Sequence, residues 1–325
     1  MAFPEFFTPQ NEWLDQVGRI YVLLGVVTVD DTTSDHHVEL RRKNRINSVY
    51  SSTVIEGNRL SLDQATAVID GVQIFGPERD ILEVQNAWAA YEQIDDFDPY
   101  SVTDFLKAHR LLTKGLIAQS GDFRKTDVEI VSANGEVLHT GSRFAKVPRL
   151  IGELLVWARD TNVHPLIASS AVHFMIEQIH PFTDGNGRIG RLWQTLILSK
   201  WNSVFAWMPT ETLISRDQLG YYTALQNSRE PEIDAAPFIT FMLGIIERSL
   251  LDYRANVVDD VVKDVVDTEL LLEYLRDNPQ LSAARLAGRL GVSSRQVQRI
   301  IKTLKEQGRL TREGSPRSGT WKVVP

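Results

Sequence analysis

The chain has 325 residues, 43% of them hydrophobic, with a formal net charge of −7 and a pI near 5.6. That length exceeds one ordinary domain and the apolar fraction supports a sizeable core, so about two folded domains are expected; a chain that coats nucleic acid through bulk charge is excluded. The absence of cysteine excludes disulfides and thiolate metal sites.

Met1–Asp31 is aromatic-rich and then apolar; it is expected to pack on the core and carries no motif. Its acidic Glu5 stands where a signal peptide needs basic residues. The longest apolar runs, Ile20–Val29 and Leu166–Ile179, are too short or too interrupted to span a bilayer, so a cytoplasmic chain without membrane contact is expected. Val38–Glu56 reads as a helix, basic at first, with a later apolar stripe of Ile46, Val49, Tyr50 and Val54, and it stops at the cap residues Gly57-Asn58. Periodicity predicts further helices over Leu62–Gly71, Glu78–Ile94, Ser101–Leu116, Pro148–Thr161 and Pro165–Ile179. One hairpin interrupts them: Val128–Val131 and Glu136–His139 flank an Asn134-Gly135 turn.

The segment His180-Pro181-Phe182-Thr183-Asp184-Gly185-Asn186-Gly187-Arg188-Ile189-Gly190-Arg191 then concentrates chemistry in one turn. Imidazole takes a proton near neutral pH, and the hard Asp184 carboxylate suits Mg²⁺ beside phosphates. Gly185, Asn186 and Gly187 have the freedom to form an anion-binding nest at the start of the helix that continues through Leu192, Trp193, Leu196 and Ile197. Arg188 and Arg191, three apart, would reach one polyanion. These residues alone predict a site for a nucleotide polyphosphate with Mg²⁺ and one base, which leaves phosphoryl and nucleotidyl transfer both open.

Beyond about Asp267 the character changes: eleven positive and six negative residues give net +5, leaving −12 for the rest. Val257–Val266 is either a linker or the end of a long connecting helix. Helices over Thr268–Asp277, Ser282–Leu290 and Ser294–Gln307, a tight turn at Gly291 and two strands around Gly314-Ser315-Pro316 resemble a winged helix-turn-helix. Ser293, Ser294, Arg295, Gln296, Gln298, Arg299 and Lys302 crowd the expected recognition helix with residues that read bases and phosphates. The tail therefore binds DNA, for which a dimer is expected, or docks a protein over a core of Leu286, Leu290, Val297, Ile300 and Leu304.

The motif around His180 resembles the signature of the Fic family, His-x-Phe-x-Asp/Glu-Gly-Asn-Gly-Arg-x-x-Arg, at every defining position. The resemblance covers roughly residues 40 to 250. It implies a mainly α Fic helical fold with a small β-hairpin flap: an N-terminal helical region over 1–100 with an inhibitory helix at about 38–57, and a catalytic core over 101–250. A connecting segment over 251–266 and the winged helix-turn-helix over 267–325 follow. It also implies AMP transfer from ATP to a Ser, Thr or Tyr hydroxyl of a target protein that the sequence does not identify. His180 would be the base and Asp184 the Mg²⁺ ligand; Gly185, Asn186, Gly187, Arg188 and Arg191 would hold the ATP phosphates. Tyr221, Tyr222 and Asn227 fall where relatives line the adenine pocket, although the tyrosine pair is equally a core feature. Glu136, Val137, Leu138, His139 and Thr140 would form the flap, with Gly141-Ser142-Arg143 replacing the consecutive prolines of many relatives. Ser52-Thr53-Val54-Ile55-Glu56-Gly57 matches the inhibitory pattern of one class, in which Glu56 would pair with Arg191, and in some relatives that glutamate also serves removal of AMP. A homo-oligomer could relieve this pairing. The competing reading is a DNA-binding transcriptional regulator whose Fic domain senses nucleotide.

Overall fold

A computed structural model describes residues 6–30, 35–131, 137–229, 231–290, 294–313 and 320–324. They form two compact units, residues 1–251 and 252–325. The first unit holds α1 (Glu12–Asp30), α2 (Asp35–Ile55), α3 (Leu62–Ile69), α4 (Glu78–Glu92), α5 (Val102–Thr113), β1 (Glu129–Val131), β2 (Val137–Thr140), α6 (Val147–Asp160), α7 (Pro165–Ile179), α8 (Asn186–Trp201), α9 (Thr210–Arg216) and α10 (Gln218–Asn227). Helix α11 (Ala236–Asp277) begins in the first unit and ends in the second, which adds α12 (Ala283–Leu290), α13 (Ser294–Glu306), β3 (Leu310–Glu313) and β4 (Thr320–Val323). Val257–Val266 thus belongs to a long helix.

Helices α7 and α8 form the centre of the first unit. Almost every side chain of α8 from Asn186 to Leu198 is buried, including both arginines, and α7 buries Leu166, Val172, Phe174, Ile176 and Ile179. Helix α6 covers α7, and α2 packs against α4 and α9. Local chemistry sets the starts: Ser61 and Gln64 make a reciprocal capping box on α3, Ser101 accepts from the Asp104 amide on α5, and Pro165 stands in the first turn of α7. The helix ends fall within a few residues of the sequence expectation. Helices α1, α9, α10 and the first part of α11 are additions to that expectation; Trp13, Ile20, Leu24 and Val27 seat α1 on the core.

The hairpin pairs Glu129 with Thr140, Ile130 with His139 and Val131 with Val137, with a register shift after Ile130. Its expected Asn134-Gly135 turn and Glu136 lie outside the described residues. In the second unit, Leu271, Leu275, Leu286, Val297, Ile301, Leu304 and Trp321 form one apolar cluster, with Leu290 at its edge. Trp321 lies beneath the guanidinium of Arg312 at 4.6 Å and the ammonium of Lys305 at 5.2 Å.

Candidate active site

The end of α7 and the start of α8 meet across one loop. His180 caps α7 with φ 51° and ψ 65°, and its amide still bonds the Ile176 carbonyl. It has the one positive φ outside glycine among the described residues, a conformation that holds against its steric cost only where the surroundings enforce it. The enforcing group is Arg124. Its Nε donates to the His180 carbonyl at 2.7 Å and its Nη1 to the Thr126 carbonyl at 2.6 Å; Nη2 donates to the carbonyls of Ser142 and Ile179. The guanidinium is fully buried at the negative end of α7, where a cation is favoured. The Arg124 amide bonds the Pro181 carbonyl and the Ser142 amide the Ile179 carbonyl, so the loop and the base of the hairpin are fastened to the same helix end.

His109 clamps the other side. Its ring lies 3.5 Å from that of buried Phe182, the planes 4° apart. Nδ1 accepts from the Gly121 amide at 3.1 Å, so Nε2 carries the proton and donates to the Asp184 carbonyl at 2.9 Å. Asn186 closes the turn by accepting from the Phe182 amide and donating to the Phe182 carbonyl. The expected phosphate cradle thus has the Asn186 side chain turned to the loop, leaving the backbone amides of the α8 N-terminus for an anion. Gly185, at φ 86°, makes the turn into that helix, a conformation that disfavours any side chain.

Burial and the neighbouring His139 push the His180 pKa down to about 4, a fall only partly offset by the Glu177 carbonyl, so the ring is neutral at physiological pH. His109 is likewise held at about 4 and His173 at about 3, chiefly by burial. The unfolded chain takes up these protons near pH 6.5, whereas the folded chain takes them up only near 3 to 4. Unfolded molecules therefore hold more protons between about pH 6.5 and 4, and stability falls as pH drops through that window. Thermal melts should lose on the order of 1–2 kcal/mol per histidine between about pH 7 and 5; a melting temperature that rises over this range would contradict the assignment.

The cationic side of the site is arranged around carboxylates. Asp184 Oδ1 accepts from the Gly185 amide at 2.6 Å and Arg188 Nη2 at 3.0 Å, and Oδ2 accepts from Arg79 at 3.1 Å. Arg188 also lies 3.5 Å from Glu83, yet its Nε and Nη1 are buried without a hydrogen-bond acceptor. Arg191 is 2% exposed. Its Nη2 donates to Glu56 Oε1 at 2.7 Å and to the Ser52 carbonyl at 3.0 Å, its Nε to Ser52 Oγ at 3.1 Å, and its Nη1 is also buried without an acceptor. The Glu56 carboxylate, 26% exposed, lies against the first turn of α8: a Cβ added at Gly187 would strike Glu56 Oε1 and come within 3.0 Å of Arg191 Nη1. A carboxylate thus occupies the positive end of a helix beside a buried arginine, a position suited to any anion.

The remaining expected residues spread outward. Tyr221 is core, its hydroxyl 3.2 Å from His173 Nε2 and 3.4 Å from buried Glu177. Tyr222 is half exposed and reaches the Ile55 carbonyl at 3.5 Å, next to Glu56. Asn227 ends α10 and is exposed. In the hairpin, His139 Nε2 donates to the Gln178 carbonyl at 2.8 Å and Thr140 pairs with Glu129; Val137 and Leu138 complete the strand. For Mg²⁺, the described residues contain no cluster of three or more acidic or histidine ligands. A partly exposed Asp184 beside unsatisfied arginine donors still fits Mg²⁺, which keeps several waters and binds through one or two carboxylates plus phosphates.

Comparison with known proteins places the chain in a family. The Fic/DOC family model matches residues 99–198 and a winged helix-turn-helix DNA-binding model matches residues 268–311. A Fic family protein from Desulfovibrio desulfuricans G20 has a crystal structure that superposes with a TM-score of 0.75 at 36% identity, covering 99% of this chain and 98% of that one. The chain belongs to the Fic family. At 24% identity the Fic-1 structure from Caenorhabditis elegans shares the fold, with a TM-score of 0.61 over 75% of this chain and 72% of that one. In sequence, the protein adenylyltransferase fic-1 of C. elegans is 28% identical over 78% of this chain and 51% of its own length; the protein adenylyltransferase Fic of Nematostella vectensis is 26% identical over 64% and 48%. The chain thus spans about half the length of the curated relatives it matches.

Arg124 and His109 are the functional residues that sequence reasoning missed. Each lies more than fifty residues before the loop it clamps, and no local spacing marks it. In this Fic protein Arg124→Ala should cost about 2–4 kcal/mol, because it removes one donor from four carbonyls of the loop and the hairpin base at once, those of His180 and Ser142 partly buried. Arg124→Lys should not rescue the loss, since an ammonium lacks the planar fork that spans them. Denaturant titration checks this, and a wild-type midpoint in Arg124→Ala would refute the clamp.

Proposed function

We propose that this chain is a protein adenylyltransferase that moves AMP from ATP to a Ser, Thr or Tyr hydroxyl of a target protein, held in check by Glu56. The observation that carries the reading is the set of buried Arg188 and Arg191 N–H donors without acceptors, at the α8 N-terminus, on the loop that also presents a neutral His180. Three guanidinium donors with helix-end amides suit a polyphosphate, and a neutral imidazole with an available lone pair suits proton abstraction.

In the reaction, the target hydroxyl oxygen bonds to the α-phosphorus while the bond from that phosphorus to the pyrophosphate oxygen breaks. His180 accepts the hydroxyl proton, and Arg188, Arg191 and the amides of Asn186 and Gly187 hold the phosphate oxygens and the charge that develops on the leaving pyrophosphate. Asp184 would hold Mg²⁺, which when bound neutralises phosphate charge. The hairpin, with His139 and Thr140 in β2, supplies an edge on which an extended target segment pairs. Tyr222, whose hydroxyl reaches the Ile55 carbonyl next to Glu56, would line the nucleoside end.

The test uses ATP labelled at the α- or the γ-phosphorus, with Mg²⁺ and the Glu56→Gly chain, followed by mass spectrometry of modified peptides. AMP on a hydroxyl with α-label retained and γ-label lost is the expected result. Retention of the γ-label would replace nucleotidyl with phosphoryl transfer.

A second reading rests on the match of residues 268–311 to DNA-binding winged helices. There the Fic domain senses nucleotide and the second unit carries a regulatory output on DNA. Sequence-specific gel-shift binding combined with no ATP-dependent modification of any protein would favour it.

A further inference from the structure

The basic start of α2 has no part in the site above, yet it lines a cleft of about 530 Å³ between α2, α4 and the turn after α8. Arg41, Arg42 and Arg45 stand on the α2 side, Glu92 and Asp95 on the α4 side, and Trp88 and Trp207 form walls. The Arg42 guanidinium lies 5.9 Å from the Trp88 ring and that of Arg41 5.7 Å from the Trp207 ring. Arg42 is paired with Asp70 at 2.6 Å, whereas Arg45 makes no ion pair among the described residues although two carboxylates line the same cleft.

Arg41 and Arg45 stand one turn apart on the same face of α2, a spacing at which two guanidinium groups reach one anion. The half-buried Trp88 indole offers a face for a planar ring. Glu92 and Asp95 are acceptors, suited to a hydroxyl pair and hostile to a second phosphate. Cations at one wall, acceptors at the other and an indole between them match one ligand class, and the volume lies within the range of small-molecule sites. We propose that this cleft is a second binding site, distinct from the loop at His180, for a nucleoside phosphate, with phosphates on Arg41 and Arg45, the base against Trp88 and the ribose hydroxyls on Glu92 and Asp95.

Occupancy would tie α2 to α4 and to the turn at Ser203–Ala206. Helix α2 ends one residue before Glu56, roughly 15 Å along its axis from Arg45, so the ligand would brace the element that carries the Glu56–Arg191 pair.

Calorimetric titration of the full chain with ADP tests this, with adenosine and pyrophosphate as separate probes. Arg45→Ala removes a surface cation, and Ser203→Trp fills the cleft while leaving every charge in place; neither touches the His180 loop. Arg191→Ala, which alters that loop, distinguishes the two sites. In the Arg191→Ala background one equivalent of ADP should still bind, Arg45→Ala should weaken it at least tenfold and Ser203→Trp should abolish it, with melting temperatures showing that each variant is folded. Adenosine and pyrophosphate should each bind at least tenfold more weakly than ADP. The proposal is overturned if that background binds no ADP, if both cleft variants leave the binding unchanged, or if either fragment binds as tightly as ADP.

Discussion

Replacing Glu56 by glycine should raise AMP incorporation about 10- to 150-fold, the rate equivalent of losing a net charged hydrogen bond worth about 1.5–3 kcal/mol. The reason is competition for one place. Glu56 Oε1 is 2.7 Å from Arg191 Nη2 and against Gly187 at the α8 N-terminus, where a terminal phosphate would have to sit. Any polyphosphate that uses Arg191 must first displace a carboxylate held there by the chain itself. Removing that carboxylate leaves Arg191 bonded to Ser52 Oγ and the Ser52 carbonyl, so the arginine stays placed and its freed Nη2 and Nη1 face the site. Glu56→Gln keeps the shape and removes the charge, and an intermediate rate is expected from it. Rates of label incorporation at subsaturating ATP read the effect directly, and equal rates in wild type and Glu56→Gly would remove the competition from the account.

The second large effect belongs to His180. Loss of a positioned general base typically costs about 10²- to 10⁴-fold, so His180→Ala in the Glu56→Gly background should fall by that factor in kcat with little change in ATP affinity. Because the backbone there is left-handed, alanine adds strain of its own; asparagine tolerates that conformation and serves as the better-folded control. Both variants should lose activity, whereas only alanine should lose stability. The pH dependence adds a sign: burial holds His180 near pKa 4, so the base is already deprotonated at neutral pH. Activity should fall only as the pH approaches about 4, not near 6.5. An acid limb centred near 6.5 would mean that the ring is far better solvated than its burial implies.

The motif loop was readable in the sequence because its residues act within one turn of chain. His180, Asp184, Gly185, Gly187, Arg188 and Arg191 are neighbours in sequence and in space, and the family match adds to what their chemistry already implies. The Glu56–Arg191 contact spans 135 residues, and it was anticipated only through resemblance; nothing in the residues from Ser52 to Gly57 demands a partner in α8. Arg124 and His109 were missed for a related reason. Both hydrogen-bond to backbone groups, which every residue carries, and the stacking of His109 on Phe182 is a contact between distant segments that no local spacing marks. Asn186 shows the reverse, since an amide suited to phosphate accepts from the Phe182 amide and donates one N–H to the Phe182 carbonyl. Helix α1 escaped notice because its buried stripe of Trp13, Ile20, Leu24 and Val27 is blurred by the exposed Leu14, Tyr21 and Val22.

The most direct test is incubation of wild type, Glu56→Gly and Glu56→Gly/His180→Asn with α-labelled ATP and Mg²⁺, reading label covalently bound to protein. The account predicts weak labelling of wild type, strong labelling of Glu56→Gly and near-complete loss in the double variant. Strong labelling that survives without His180, or none in any variant that still binds ATP, would contradict it.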